Sequence, residues 1–218
     1  MRPREMNGGR SAASALLLAL ALGGCGGSAA APSTGPAPAT AVAPARAVAP
    51  MDLGGQRVQV LPVQAAPGLA ESRDSLSAVL LRALEARDTR TRWITPQALR
   101  RSLARAPGYA EDPGTLPADP FVHHQEHRVL DPLAGVLRRY GALTDARLVL
   151  IPREARWIAA PDGASGRVRF SAAMVDSRSG NVIWYGEADG AARPQPDAEA
   201  DASAAAALAA RMLVAPPQ

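Results

Sequence analysis

The sequence has no lysine, one cysteine and few histidines, and each shortage excludes a class of site. All 24 basic residues are arginine, so a phosphate-binding loop of the P-loop type is excluded, because that loop needs a lysine. No Gly-x-Ser-x-Gly motif occurs and the three histidines lie in one short segment, which leaves a serine nucleophile without partners. A single cysteine cannot close a disulfide within the chain, so the fold must rest on packing alone.

That cysteine lies in the stretch Leu22-Gly23-Gly24-Cys25, close to the start of the 218-residue chain. An arginine-rich flank at residues 2–10 precedes a short apolar run at 12–22, which is the pattern of a signal peptide and too short for a membrane span. The stretch resembles the lipobox of bacterial lipoproteins. The resemblance implies cleavage after residue 24 and acylation of Cys25, where two or three acyl chains give a durable anchor.

Composition divides the chain into three parts: a signal peptide at 1–24, a lipidated Cys25 with a tether at 25–52, and a domain at 53–215. The tether is Ala, Pro and Gly-rich and nearly uncharged, so we expect it to be disordered. About 25 such residues span roughly 25 to 30 Å as a flexible coil, which keeps the domain close to its membrane. Gly26, rather than Asp, follows Cys25, and this favours an outer-membrane, periplasm-facing location.

The domain is predicted to be an α/β sandwich with a mixed sheet and flanking helices. Residues 57–63 form a β-branched strand, and 72–87 an amphipathic helix with Ser72 as its N-cap. A brief strand at Trp93-Ile94 leads to a second helix that begins at Thr95-Pro96. Four prolines and two glycines in 107–122 predict an irregular surface loop.

The second half of the domain begins with a helix that has its N-cap at Asp131, proline at its first position and Gly141 as its C′ residue. Residues 148–151 form an apolar central strand, and Trp157-Ile158 a further one. An antiparallel hairpin turns at 176–180 and returns with Val182 and Trp184 on one face. An alanine-rich helix at 198–213 follows the hairpin.

The hairpin sequence from Met174 to Trp184 reads Met-Val-Asp-Ser-Arg-Ser-Gly-Asn-Val-Ile-Trp and follows an early Val-x-Val strand and an amphipathic helix. It resembles the α/β domain shared by the amino-terminal part of TolB, the curli lipoprotein CsgG and the activator lipoprotein LpoB. The resemblance implies a small domain at about 55–213 that is used for protein contacts. The segment 107–127 has no counterpart in that pattern.

One segment points to an enzyme instead. His123, Glu126 and His127 follow the H-x-x-E-H order of inverted zinc peptidases, in which two histidines hold the metal and the Glu acts on its bound water. The segment ends a proline-rich loop, Asp131-Pro132 interrupts the helix that it needs, and no third ligand is evident. A zinc-dependent hydrolase therefore stays the alternative interpretation.

Two further groups of residues suggest binding. Five arginines on two predicted helices favour a basic face for anionic lipid or an acidic partner: Arg100, Arg101, Arg105, Arg138 and Arg139. The three tryptophans, Trp93, Trp157 and Trp184, are typical of a cell-wall or glycan-binding module, but two lie in predicted strands, which favours core packing. Asp176 and Asp189 are predicted to cap backbone at a turn and a strand end.

The sequence as a whole predicts a non-catalytic envelope lipoprotein that binds another protein or an assembly near the membrane. We expect a membrane anchor at Cys25 and an envelope protein partner. No cofactor and no nucleic acid partner is expected, because the net charge is only +4 and an exported domain meets little nucleic acid.

Overall fold

A computed structural model describes residues 49–116 and 127–215 of the chain. Secondary structure in these ranges consists of five strands and four helices. In chain order it comprises β1 (Arg57–Val60), α1 (Arg73–Arg87), β2 (Arg92–Ile94), α2 (Pro96–Ala104), α3 (Leu133–Thr144), β3 (Leu148–Ala159), β4 (Gly166–Asp176), β5 (Val182–Asp189) and α4 (Ala198–Met212).

The strands form one mixed sheet in the order β2-β1-β3-β4-β5. β1 runs parallel to both β2 and β3, whereas β4 is antiparallel to both β3 and β5. The predicted α/β architecture, with its mixed sheet and a C-terminal hairpin followed by a helix, is confirmed. β3 lies in the middle of the sheet, as its apolar start at Leu148 predicts.

Helices cover both faces of the sheet, so the apolar residues divide into two cores. The α1/α4 core lies beneath the long α1 and the alanine-rich α4, and its larger side chains are Leu76, Leu80, Leu84, Val168, Phe170, Met174, Trp184, Leu208 and Met212. The α2/α3 core lies on the other face and includes Leu99, Leu133, Val136, Leu137, Tyr140, Val149, Ile151 and Val175. Burial on both faces explains why β3 begins as a continuous apolar run.

Side-chain caps fix where three of the helices begin. Ser72 accepts a hydrogen bond from the backbone N–H of Ser75 at 3.1 Å, and Thr95 accepts one from Ala98 at 3.0 Å. Asp197 does the same for α4 at 2.7 Å. Such caps satisfy N–H groups that have no partner within the helix. The predictions for Ser72 and for Thr95-Pro96 are therefore confirmed.

Both predicted ends of α3 are wrong. Asp131 is not the N-cap: Pro132 holds that position without a side-chain bond, and the Asp131 carboxylate instead accepts from the N–H of Gly135 at 2.9 Å. Gly141 is not the C′ residue either, because the helix continues to Thr144 and ends on Asp145 at φ 50°. A short Asp side chain tolerates this left-handed conformation, so no glycine is needed there.

The β3–β4 pair also differs from prediction. Trp157 and Ile158 do not form a strand of their own but continue β3, which runs from Leu148 to Ala159 through an irregularity near Pro152. The missing ladder N–H of Pro152 coincides with this register shift, which lets one long strand carry two apolar stretches.

The prediction that Val182 and Trp184 share one face is wrong as well. A register shift between Met174 and Val175 pairs Val182 with Val175 and Trp184 with Met174. Val182 therefore packs against the α2/α3 core, while Trp184 is buried in the α1/α4 core. A bulge of this kind changes the two-residue alternation on which the prediction rested.

The described part of the 107–122 loop is irregular, as predicted, but it is not only surface. Pro113 and Leu116 are buried, and Leu116 belongs to the α2/α3 core. The hydroxyl of Tyr140 donates to the carbonyl of Glu111 at 2.7 Å, which ties the loop to α3. Burial raises the pKa of this tyrosine well above its usual value, so it stays a hydrogen-bond donor.

Contacts at the start of the domain include Met51, two residues ahead of the boundary predicted at Leu53. The backbone N–H of Met51 donates to the carbonyl of Met212 at 2.8 Å, and Val214 donates to Met51 at 3.1 Å. The chain thus pairs with the end of α4 as it enters the domain. None of the helices in the described residues is both long and apolar enough to span a membrane.

Candidate functional site

The residues predicted to carry lipid or metal fall mainly outside the part of the chain that the structure describes. Cys25, His123 and Glu126 lie outside it, so the anchor and the zinc alternative both stay predictions. His127 is exposed, and its carbonyl accepts from the N–H of Val182 at 2.9 Å. Across 49–116 and 127–215, no three His, Cys, Asp or Glu side chains are arranged to hold a metal ion.

The predicted basic face is only partly available, because two of its arginines pair with nearby carboxylates. Arg100 pairs with Asp74 of α1 at 3.1 Å, and Arg138 with Asp131 at 3.3 Å. Arg105 instead donates to the hydroxyl of Ser102. Arg100 therefore links α2 to α1, and Arg138 links α3 to the segment before it, whereas the bond of Arg105 stays within the end of α2.

The three tryptophans pack into or against the α1/α4 core. Trp184 is fully buried, and the indole N–H of Trp93 donates to the carbonyl of Asp88 at 3.2 Å. Gly186 leaves room for the Trp184 ring, since a Cβ there would lie 2.6 Å from it. The core-packing interpretation of the tryptophans fits this arrangement better than a stacking platform for sugars.

Another site lies at the end of the sheet where β1 and β3 begin. Arg57 is the first residue of β1, Arg147 precedes β3, and Ser177-Arg178 follows the antiparallel β4, so the topology brings all three to the same edge. The C-terminal end of α3 forms the wall beside them. Together they enclose an open cleft of about 570 Å³, here called the arginine cleft, lined by Gly55, Gln56, Arg57, Arg138, Gly141, Ala142, Asp145, Ala146, Arg147, Ser177 and Arg178.

The guanidinium groups of the arginine cleft are held to different degrees. Arg147 binds Asp176 through two nitrogens at 2.8 and 2.6 Å, and the carboxylate is buried while the arginine side chain is 62% exposed. Arg57 pairs at 2.6 Å with Asp145, whose side chain is 85% exposed. Arg178 is exposed and makes no ion pair with any residue that the structure describes.

Asp176 is the fixed point of the arginine cleft. Its second oxygen accepts from the N–H groups of Arg178 and Ser179 at 2.9 and 3.3 Å, which shapes the hairpin turn. Burial alone raises the pKa of Asp176, but the hydrogen bonds from Arg147 and the turn outweigh it and lower the pKa below its usual value. The carboxylate therefore stays charged, and it holds Arg147 in one orientation. The predicted capping role of Asp176 at the turn is confirmed.

Gly141 sets how closely α3 approaches this turn. A Cβ on Gly141 would lie 2.6 Å from the hydroxyl oxygen of Ser177 and 2.7 Å from the carbonyl of Ala146. Real contacts are not that short, so the helix can approach Ser177 only because residue 141 has no side chain. The glycine thus serves close packing beneath the arginine cleft.

The arginine cleft has the chemistry of anion binding. Its ionisable lining groups are four arginines and Asp145, and a guanidinium stays protonated near neutral pH, so it cannot act as a base. The hydroxyl of Ser177 donates to the carbonyl of Ala146 at 3.4 Å, and the described lining includes no histidine that could activate it. The lining residues therefore suit recognition of negative charge and not acid–base or nucleophilic catalysis.

Sequence reasoning missed the arginine cleft because its residues come from four separate segments. Arg57 and Asp145 are 88 positions apart and meet only through the parallel pairing of β1 with β3. One signal was nevertheless present: Arg57 is the first residue of one predicted strand, and Arg147 immediately precedes another. In an α/β order, parallel strands begin at the same edge of the sheet, so both were candidates for one site.

Comparisons with known proteins give fold-level likenesses only. No protein-family model matches the chain, and no curated protein is significantly similar in sequence. Three solved structures illustrate the likeness. The LpoB C-terminal domain from Escherichia coli is 12% identical, covers 64% of this chain and 84% of its own, and has a TM-score of 0.41.

The PelC dodecamer from Paraburkholderia phytofirmans is 11% identical over 76% of this chain and 93% of its own, with a TM-score of 0.40. Lipoprotein GNA1162 from Neisseria meningitidis is 13% identical over 66% of this chain and 88% of its own, with a TM-score of 0.39. LpoB is one of the proteins that the hairpin sequence resembles. At TM-scores of this size the family of the chain stays a proposal.

Proposed function

We propose that this chain is an envelope lipoprotein, anchored through Cys25, whose α/β domain is a non-catalytic interaction module. The observation that supports this most directly is the arginine cleft. It is open to solvent and preorganised by Asp176. Among the described lining residues the one carboxylate, Asp145, is paired with Arg57, and the Ser177 hydroxyl has no base beside it. Such a surface binds a partner and does not transform a substrate.

The lipobox supplies the location. Residues 1–24 form the proposed signal peptide, and 25–52 form the proposed tether that carries the domain at 53–215. With the roughly 25 to 30 Å reach of a flexible tether, the arginine cleft would meet partners at or near the anchored leaflet. We place that leaflet in the outer membrane, facing the periplasm, because Gly26 follows the lipidated residue.

Acylation is tested by metabolic labelling with a palmitate analogue. The wild-type chain should be labelled and should fractionate with membranes, whereas Cys25→Ala should lose the label and most of the membrane association. An unlabelled wild-type chain that fractionates like Cys25→Ala would contradict the anchor.

The interaction module is tested by photo-crosslinking in cells. A photoreactive residue at Ala142, which is exposed and lines the arginine cleft, should give one dominant protein adduct. The matched control is Asp162, which is exposed in the turn between β3 and β4 and should give none. Equal adduct patterns from both positions would show that the arginine cleft is not the contact surface.

The zinc hydrolase is the second candidate, because the H-x-x-E-H order of residues 123–127 remains untested. Metal analysis of protein purified without a His tag separates the two functions. Stoichiometric zinc that is lost in His127→Ala would support the hydrolase, and its absence would leave the interaction module.

A further inference from the structure

The geometry points to a carboxylate-rich peptide segment, carried by a protein partner, as the ligand of the arginine cleft, with Asp145 as an internal competitor for it. This inference rests on the proposed interaction function and names the chemistry of the partner. It follows from three features of the described residues: the anion that the arginines already bind, the hydrogen-bond donors that remain unused, and the position of Asp145.

The first feature is that carboxylate is the anion these arginines already bind. Arg57 pairs with Asp145 and Arg147 with Asp176, both at 2.6 Å. Charge-assisted hydrogen bonds of this length are the strong form of guanidinium recognition. A side chain of Asp or Glu from a partner reproduces the same contact without any change in the arginines.

The second feature is the unused donor capacity of the arginine cleft. The Nε of Arg57 is buried and has no hydrogen-bond partner among the described residues. Arg147 is held by Asp176 yet remains largely exposed, and Arg178 makes no ion pair within the described chain. A fixed guanidinium with free N–H groups loses little entropy when it binds a second anion.

The third feature is the position of Asp145. It follows the last residue of α3 and contributes the only carboxylate among the described residues that line the arginine cleft. Because its side chain is 85% exposed, its pair with Arg57 is screened by water and adds little stability. An incoming carboxylate can therefore displace it at small cost, which makes Asp145 a stand-in for the ligand in the free protein.

The lining of the arginine cleft favours a peptide over a lipid surface. Its members are arginine, small residues, a glutamine and one aspartate, with no large apolar side chain. Membrane-surface sites combine basic residues with apolar ones that enter the acyl boundary.

The first experiment measures fluorescence anisotropy of a labelled poly-glutamate peptide with the full chain, purified from membranes in a non-ionic detergent at low salt. Reversing two exposed arginines in R147E/R178E should weaken binding by about tenfold or more. The control R156E/R167E makes the same change in net charge at two exposed arginines, Arg156 on β3 and Arg167 on β4, at the opposite end of this strand pair. It should alter binding by less than about twofold. Equal losses in both double variants would overturn the inference, because they would report net charge alone.

The second experiment removes the competitor. D145N keeps a residue that tolerates the left-handed backbone at φ 50° and deletes the charge that occupies Arg57. Binding of the poly-glutamate peptide should become about two- to fivefold tighter, since an exposed ion pair is worth at most about 1 kcal/mol. Weaker or unchanged binding in D145N would contradict the displacement of Asp145.

A readout on the wild-type chain covers the case in which a charge-reversal variant does not fold. Titration with the peptide should shift the NMR signals of the Nε–H groups of Arg57 and Arg147, and leave that of Arg167 in place. Inorganic phosphate and vesicles of phosphatidylglycerol are separate arms. A chain that binds vesicles or phosphate but not the peptide has a different ligand, and that result overturns the inference while leaving the photo-crosslinking test of the interaction module untouched.

Discussion

The two ends of β4 both carry arginines, and they use them in opposite ways. Near Gly166, Arg167 and Arg169 converge on Asp189, at 2.9 Å from Arg167, and Arg169 also reaches Glu187 at 3.5 Å. At the other end, Asp176 holds Arg147 alone, and the neighbouring Arg178 makes no ion pair with a described residue. One end is a closed charge network and the other presents guanidinium groups to a cavity.

This contrast shows that the number of arginines does not define a binding site. In the closed network each positive charge lies beside a carboxylate on the adjacent β5 strand, so little attraction remains for a ligand. At the arginine cleft, the carboxylate that fixes Arg147 is buried under the turn, and the arginine faces outward. The two ends differ in where the carboxylate lies: Asp176 is buried behind an exposed Arg147, whereas Asp189 lies beside its arginines at the surface.

The largest effect is expected from removing the carboxylate at each end. Asp176→Ala should lower the free energy of unfolding by about 3 kcal/mol, because two turn N–H groups and Arg147 lose a buried partner. Asp189→Ala should cost about 1 kcal/mol, since its side chain is 30% exposed and water replaces the lost contacts. Urea unfolding of both variants checks the order, and a larger cost for Asp189→Ala would contradict the contrast between the two ends.

A third carboxylate sharpens the comparison because it has no arginine. Asp201 on α4 is buried, one of its oxygens lacks a hydrogen bond, and burial together with Glu71 and Asp197 raises its pKa to about 6. The folded state then binds the proton more tightly than the unfolded state. Stability is therefore greatest below the usual pKa near 4 and falls as the pH rises to about 6.

Asp201→Asn should consequently stabilise the protein at pH 7.5 by about 2 kcal/mol and flatten this part of the stability profile. The matched variant Asp176→Asn should change the acid side of the plot of stability against pH. The lowered pKa of Asp176 gives stability that is present above its usual pKa and lost in acid. Thermal melts between pH 2 and pH 8 cover both sides of that plot and distinguish the two variants. Destabilisation at pH 7.5 by Asp201→Asn would refute the assignment.

An intermediate effect is expected at the wall of the arginine cleft. Gly141→Ala should cost about 1 to 2 kcal/mol, because the added methyl group collides with Ser177 and the Ala146 carbonyl. Gly135→Ala in the same helix meets mainly the flexible ends of polar side chains and should gain from the higher helix propensity of alanine. Chemical denaturation of the pair measures the difference, and equal costs would argue against close packing at residue 141.

The smallest effect is expected for Arg178→Ala. No described carboxylate loses a partner, so the free energy of unfolding should stay within about 0.5 kcal/mol of the wild type. Arg169→Ala should cost more, about 1 kcal/mol, because Glu187 and Asp189 lose their shared arginine. If Arg178→Ala proved the more damaging of the two, the arginine cleft would contain a structural pair and not a free guanidinium.

Local signals in the sequence predicted most of the fold. Ser72 and Thr95 marked helix starts because capping depends on residues three positions apart, and the turn at 176–180 marked the hairpin. The failures came from tertiary contacts. Gly141 was taken for a helix end when it serves the approach of α3 to Ser177, and a bulge opposite Val175 reversed the side on which Val182 lies.

The candidate site was less accessible to sequence reasoning than the fold. Arg100 and other arginines on the predicted helices were expected to form a basic face. Asp74 on α1 forms an ion pair with Arg100, which neutralises part of that positive charge. The arginine cleft instead depends on strand order, which brings Arg57 beside Asp145. Neither the pairing of distant charges nor the depth of a cavity is encoded in local periodicity.

The central claim is that the arginine cleft is the contact surface of an anchored envelope protein. The most direct measurement is the yield of the in-cell adduct from a photoreactive residue at Ala142 in two backgrounds. Our account predicts that R147E/R178E abolishes the adduct, whereas R156E/R167E, with the same change in charge, leaves it at the wild-type level. An adduct that persists in R147E/R178E, or disappears equally in both, would contradict the claim.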